Sequence, residues 1–505
     1  MQQNRNRYSL FNAISAMGLT LVNGFLGIVV THFVIARFGS DFNGLNSTAN
    51  QIVNVLLIIE GGFTLASNVA LFAPLTAGDY SLVNGVLAAT KRKFRKIGGI
   101  FLTIGCTVAV AYAFLVNSAL PVGFIITMVI MTIVPASFNL YYATTYRVLL
   151  QTQQKEYVIS LIAICTVGLG HVTNLIMINL GGPMWAVRFV TMLFALLNSL
   201  IIGNYVKRKN PFLNLNVEPR RELIKGTGDV MAQKITGVIY NAAPIVFLSI
   251  SPSGGTALAS VYAVYNNVFI MLKSLLHGII DAPRLGFGQM LTERKRDEVW
   301  RVYAQYEYAA FLAVFTLLST ACALILPFIK MYTANVSDIN YYDPKIAILM
   351  VLIAVLEMIH IPSGHLINMA GEFRISRNFQ VISCIVLLIG MSVGGMLWGV
   401  YGMLGAILCV ACLLAVMEMG YVHIRFFSGK LLELMRLVVP LILSGVGLCS
   451  LELCLLLPIV SYFSFVLYGL LLIVINAGIA FTVGLIFNRS ELLALIQRAK
   501  RMVLR

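Results

Sequence analysis

The chain has 505 residues, 59% hydrophobic and 11% charged, where soluble globular proteins carry about 25% charged residues. This composition excludes an ordinary soluble domain. With 36 Lys and Arg against 20 Asp and Glu, the net charge is +16, which suits nucleic acid, anionic lipid or an anionic substrate, and the placement of the charges decides among them.

Runs of about 20 apolar residues, enough to cross a hydrocarbon core of ~30 Å, occur fourteen times. They are Leu10 to Ala36, Asn43 to Ala73, Ile97 to Val116, Val122 to Leu149, Tyr157 to Ile178, Pro183 to Val206, Val230 to Ile250, Thr256 to Pro283, Val302 to Met331, Ile346 to Met369, Phe379 to Val400, Met403 to Val422, Leu437 to Leu457 and Phe463 to Phe487. The expected fold is an all-α polytopic membrane protein. Asn4-Arg5-Asn6-Arg7 precedes a stretch too long for a signal peptide, so the first run is expected to persist. The eight cysteines lie in apolar runs and read as buried hydrophobes; Cys409-x-x-Cys412 has no second pair to complete a metal site.

If the N-terminus is cytoplasmic, thirty of the 36 basic residues fall on that side, including Lys91 to Lys96, Lys207 to Lys225 and Arg284 to Arg301. The positive-inside rule then places both termini in the cytoplasm. The basicity is therefore mostly topological, and nucleic acid is not an expected partner. Outer connections are short and leave no room for a soluble domain, whereas Asp79 to Lys96 and Ser490 to Arg505 alternate apolar and basic residues as interfacial helices on anionic lipid do.

The second and eighth runs are unusually long, lie six spans apart and end in the same step, Ala73-Pro74 and Ala282-Pro283. Each carries amides in its outer half, Asn50 and Gln51 or Asn266 and Asn267, and one charge near its middle, Glu60 or Lys273. A parallel repeat follows: six-helix lobes at 1–226 and 227–428, an additional helix pair at 429–488 and an amphipathic tail at 489–505.

The segment Phe38-Gly39-Ser40-Asp41-Phe42-Asn43-Gly44-Leu45, then Gln51 to Gly62 and the basic loop Lys91 to Lys96, resembles the start of bacterial O-antigen and capsule polysaccharide flippases of the multidrug/oligosaccharidyl-lipid/polysaccharide exporter superfamily. The resemblance implies two lobes around a cationic central cavity that opens alternately to each side of the inner membrane. The implied cargo is a polyprenyl-diphosphate-linked oligosaccharide, with membrane lipids and a coupling ion, proton or sodium, as further partners.

Charges inside spans cost ~2.5 to 3.5 kcal/mol at a helix centre unless they face a cavity or a partner. Arg188, Lys234 and Lys273 are the candidate substrate-binding cations, forming a positive ladder if they share one cavity; Arg188 and Lys234 have stems long enough to snorkel instead. Glu60 and Glu357 are the candidates for pairing the lobes or carrying the coupling ion. Glu418 and Glu452 are further buried acids, with Glu418 expected to serve structure beside His423 and Arg425. Gly61-Gly62, Pro135, Pro244 and Pro362 are expected to bend their helices.

Enzyme signatures are thin. Glu357-x-x-His360 is half of a carboxylate metal motif without its second copy, and no Walker loop, H-E-x-x-H or G-x-S-x-G occurs. No enzyme activity, cofactor or metal site is expected. A cationic-drug exporter would favour an acidic cavity, a peptidoglycan-precursor flippase an arginine-rich first lobe, and a membrane polymerase or glycosyltransferase a large outer loop. Sequons at Asn46-Ser47-Thr48 and Asn335-Val336-Ser337 leave a eukaryotic origin open.

Overall fold

A peptide chain in hydrocarbon has to satisfy its own backbone groups, and the helix does so within one segment. The described residues are helical, without strands. The computed structural model describes residues 2–60, 62–224, 228–252, 254–281, 283–455, 459 and 461–503. Gly61, Lys225, Ala282, Leu457 and Arg505, named above, lie outside the described residues.

In chain order the helices are α1 (Gln2–Phe38), α2 (Ser40–Leu56), α3 (Phe63–Ala77), α4 (Tyr80–Leu115), α5 (Val122–Phe138), α6 (Thr144–Thr152), α7 (Glu156–Asn179), α8 (Met184–Lys209), α9 (Gly228–Ile250), α10 (Thr256–Ile280), α11 (Arg284–Glu293), α12 (Arg296–Tyr332), α13 (Pro344–Ile359), α14 (Ile361–Met369), α15 (Phe373–Gly420), α16 (Leu431–Leu455), α17 (Tyr462–Phe487) and α18 (Arg489–Val503). A 3-10 turn spans Leu57–Glu60, and π-helical turns span Asn139–Ala143 and Tyr421–Phe426.

Among the described residues, eleven helical stretches are long and apolar enough to cross a membrane, twelve if the bent pair α2 and α3 makes one span. The count of fourteen differs at two places. α9 is not among the eleven, and Phe373–Phe426 forms one 54-residue stretch. That stretch folds back at Gly399 (φ 58°, ψ −136°). A Cβ on Gly394 would lie 2.7 Å from the Gly402 carbonyl oxygen, and one on Gly390 3.1 Å from the Ala406 Cβ. In a straight helix those pairs stand about 12 and 24 Å apart, so the arms are antiparallel, and they match the expected runs Phe379 to Val400 and Met403 to Val422. Gly390-x-x-x-Gly394 is the seam between them.

By packing, the chain forms two units, Met1–Ala263 and Val264–Arg505. In the first, α1 lies on α7, α7 on α8, α4 on α5, and α2 packs against α5 and α9. Its core includes Phe42, Leu45, Phe94, Phe101, Val129 and Ile133. Gly62 sits in the left-handed region (φ 71°, ψ 12°) at the start of α3, and the chain axis bends there by 48°. The expected weak point is thus a real break, directly after Glu60. Pro135 precedes the π turn Asn139–Ala143, Pro362 opens α14 after the break at His360, and Pro244 sits within a continuous α9.

The reading of Asp79 to Lys96 as an interfacial helix is corrected. Gly78, left-handed at φ 72°, closes α3, and the Asp79 carboxylate accepts from the Leu82 amide at 3.0 Å to start α4, which runs unbroken to Leu115. Val83, Val86 and Leu87 are fully buried against Tyr146, Leu149 and Val206, so the apolar face meets protein instead of lipid.

In the second unit α12 is central, with α13, α16, α17 and α18 packed on it. Tyr308, Phe311, Phe315, Leu437 and Leu441 form its core, which Leu492 of α18 enters while Leu495 and Ile496 pack against it. The tail is amphipathic as expected, but it docks that face on protein. Exposed apolar stripes remain, among them Phe11, Ile14, Met17, Leu21 and Phe25 on α1 and Phe463, Val466, Leu467, Leu470 and Val474 on α17. Such faces belong in lipid, and the chain is a multi-pass membrane protein.

Candidate functional site: charges held by the membrane helices

In the first unit, the α2–α3 break frees the Glu60 carboxylate from a regular helix surface. Its Oε1 accepts from the Thr64 amide at 3.3 Å, and its Oε2 lies 3.7 Å from Lys234 Nζ on α9. Glu60 is largely buried whereas Lys234 is 55% exposed, so Lys234 is held at one end only.

Arg188 is 5% exposed. Two N–H groups of its Nη2 go to α2, one to the Asn46 carbonyl at 2.9 Å and one to Asn50 Oδ1 at 3.0 Å, leaving three of its five donors. Asn46, read as a sequon, therefore sits within α2, its carbonyl held by Arg188. Arg188 lines a cavity of about 420 Å³ together with Arg147, Asn50, Asn139, Asn174 and Asn198. Arg147 Nη2 donates to Asn198 Oδ1 at 2.8 Å, while its Nε has no partner; Asn139 Oδ1 and Asn174 Oδ1 are likewise unpartnered. Ten residues of α8 separate Arg188 from Asn198, about 15 Å along the axis, so one guanidinium stands toward each end of the cavity. Among the described residues no carboxylate lines it. A cavity with two guanidinium groups, spare donors and no counter-charge favours an anion.

In the second unit, Lys273 Nζ donates to Glu357 Oε2 at 2.7 Å, both side chains less than one-fifth exposed. Glu357 lies at the end of α13, just before the break at His360. Each sequence-predicted acid thus faces a sequence-predicted cation of its own unit, Glu60 with Lys234 and Glu357 with Lys273. The expected ladder is in part a set of neutral pairs.

Glu418, expected to serve structure near His423 and Arg425, pairs with His360, Oε2 to Nδ1 at 2.8 Å. Gly364 makes room for it, since a Cβ there would lie 2.6 Å from Glu418 Oε2. His423 instead meets Glu307, Nε2 to Oε2 at 2.9 Å, with both side chains fully buried. The His423 Nδ1–H donates to the Met419 carbonyl at 2.8 Å, and the Tyr303 hydroxyl donates to Glu307 Oε1 at 2.9 Å. A carbonyl only accepts, so this tautomer leaves Nε2 and Glu307 to share one proton. Glu357 and His360, the half metal motif, are committed to Lys273 and Glu418.

Sequence reasoning missed Arg147 and Glu307. Both lie inside predicted spans, at Val122 to Leu149 and Val302 to Met331, but near their ends, where a charge is read as belonging to the loop. The pair of π turns, one just before α6 and one carrying His423, has no sequence signal beyond proximity to Pro135 in the first case.

No family model matches this chain, and no curated protein matches it. Solved structures do. An inward-facing multidrug resistance MATE family transporter of the MOP superfamily is similar at TM-score 0.67 and 14% identity, over 85% of this chain and 98% of that one. The lipid II flippase MurJ, in an inward closed conformation, is similar at TM-score 0.67 and 11% identity, over 93% and 98%. An outward-facing MATE structure is similar at TM-score 0.57 and 14% identity, over 86% and 96%. At these identities the likeness shows a shared fold, and that fold is the one these transporters use.

Proposed function

We propose that this protein is a flippase that moves a polyprenyl-diphosphate-linked oligosaccharide across a bacterial inner membrane by alternating access. Two lobes, 1–226 and 227–428, are followed in this proposal by the helix pair 429–488 and the tail 489–505. The observation that carries the reading is the cavity lined by Arg188 and Arg147 with no carboxylate. A diphosphate leaving water needs charge-assisted N–H donors, and arginine supplies them in paired geometry. A cationic drug would meet repulsion there.

Lys273 and Lys234 serve the same cargo by partner exchange. In the absence of cargo, Glu357 and Glu60 balance the charge of the two ammonium groups; a phosphate oxygen takes the ammonium, and the released carboxylate takes up a proton or sodium ion. At Lys273 and Glu357, both less than one-fifth exposed, the cost of uncovering either charge couples release of the one partner to capture of the next.

The test is flipping of a fluorescent polyprenyl-diphosphate oligosaccharide in proteoliposomes holding the full chain. Arg188→Gln is expected to lose at least tenfold in rate, and Arg188→Lys to keep part of it. Efflux of a cationic dye without lipid flipping would replace the reading by a drug exporter. Selective flipping of lipid II, the cargo named for the MurJ structure, would replace the oligosaccharide.

A further inference from the structure

Among the described residues, five glutamates of the spanning helices are withdrawn from the surface, and four are closed by a basic partner: Glu60 by Lys234, Glu357 by Lys273, Glu418 by His360 and Glu307 by His423. Glu452 on α16 is different. It is 7% exposed, and neither carboxyl oxygen accepts a hydrogen bond of full geometry, the Asn476 amide being the polar side chain that approaches it. The groups that face it come from each neighbouring helix: Cys322 from α12, Cys449 from α16 itself and the amide of Asn476 from α17. Among the described residues no lysine, arginine or histidine does so.

Asn476 is fully buried. Its amide N–H donates to Thr320 Oγ1 at 2.9 Å, and Thr320 donates onward to the Thr316 carbonyl at 2.9 Å. That chain runs in one direction and leaves Asn476 Oδ1 unpartnered. The result is a buried cluster with three unpartnered oxygen acceptors, two on Glu452 and one on Asn476. Acceptors cannot satisfy one another, and a bare carboxylate in a low-dielectric interior costs several kcal/mol. The missing element is an electrophile.

We propose that Glu452 and Asn476 form a monovalent-cation site in the terminal helix pair, occupied by a proton or by sodium. The exchange balances one for one: the protonated carboxyl releases its proton and the carboxylate binds one sodium ion, with Asn476 Oδ1 and the Ser319 hydroxyl, which bonds the Cys449 thiol, as further hard oxygen donors. Alternatively the carboxyl simply gains and loses its proton. The site is separate from the arginine-lined cavity and does not depend on what the cargo is.

The test uses the full chain in liposomes and the apolar reagent dicyclohexylcarbodiimide, which adds to protonated carboxyls, with adducts located by mass spectrometry. Infrared difference spectra between the native protein and Glu452→Gln report the protonated carboxyl independently of reagent access. We expect an adduct on Glu452 that falls as pH rises, a protonated-carboxyl band missing from the nearly isosteric Glu452→Gln, and a shifted pH midpoint in Asn476→Leu. Protection by sodium chloride but not choline chloride would identify sodium; equal labelling in both salts would identify the proton. Absence of both adduct and band from acidic to alkaline pH would overturn the proposal, as would labelling indifferent to pH and salt. Neither readout involves cargo, so loss of the flippase reading would leave the result intact.

Discussion

At the scale of single residues, the difference between holding a charge and using it is measurable at Lys273. Removing one member of a half-buried pair leaves the other uncompensated, at ~3 to 5 kcal/mol for a fully buried pair. Lys273→Ala is therefore expected to lower thermal stability and, under the proposed function, to abolish glycan export. Adding Glu357→Gln removes the orphaned charge, so the double variant is expected to regain most of the stability while export stays absent. Recovery of export by the double variant, assayed by surface glycan in a strain lacking the native gene, would make the pair purely structural.

Glu307 and His423 give the opposite expectation, because both are fully buried and meet only protein. His423→Ala is expected to cost about 3 kcal/mol or more, seen as a lower melting midpoint, whereas Glu307→Gln keeps a hydrogen bond to Tyr303 and costs less. Lys273, Glu60 and Arg188 were legible from sequence because a charge amid apolar residues is costly unless answered. Which partner answers which charge was not legible. Lys234 lies far along the chain from Glu60, and Glu418 found His360 instead of the nearby His423 because a packed tertiary contact, not helix spacing, brings them within 2.8 Å.

At the scale of elements, apolar run length located nearly every membrane helix, and the breaks at Gly62 and Pro362 followed from backbone chemistry. What run length could not show was where an apolar face goes: Val83, Val86 and Leu87 read as lipid-seeking but are covered by Tyr146, Leu149 and Val206. The α15 hairpin yields a sharp comparison. A side chain at Gly402 meets the Gly394 backbone, its Cβ 1.9 Å from the carbonyl oxygen, while one at Gly405 meets nothing within 4 Å. Backbone cannot yield as a side chain does, so Gly402→Leu is expected to exceed the usual overpacking cost of ~1 to 3 kcal/mol and to deplete folded protein. Gly405→Leu is expected to be tolerated, as read by fluorescence-detected size exclusion.

At the scale of the whole molecule, the remaining expectation is orientation, and it rests on a part of the structure that composition does not reveal. The segment following α8 is strapped onto the start of α4. Asn84 donates to the Phe212 carbonyl at 2.8 Å and accepts from the Asn214 amide at 3.1 Å, the Arg220 amide donates to the Gly85 carbonyl at 3.0 Å, and Tyr80 stacks on Phe212. Two basic stretches distant in sequence, Lys91 to Lys96 and Lys207 to Arg221, are thereby tied to the same end of one helix, so they share one side of the membrane. The positive-inside rule predicts that this side is the cytoplasm. With the native cysteines replaced, a cysteine at Glu218 is expected to react with a membrane-impermeant maleimide only after the cells are opened, and one at Asp338 in intact cells. Labelling of Glu218→Cys in intact cells would invert the topology. Because the strap joins them, it would carry both basic stretches outward together.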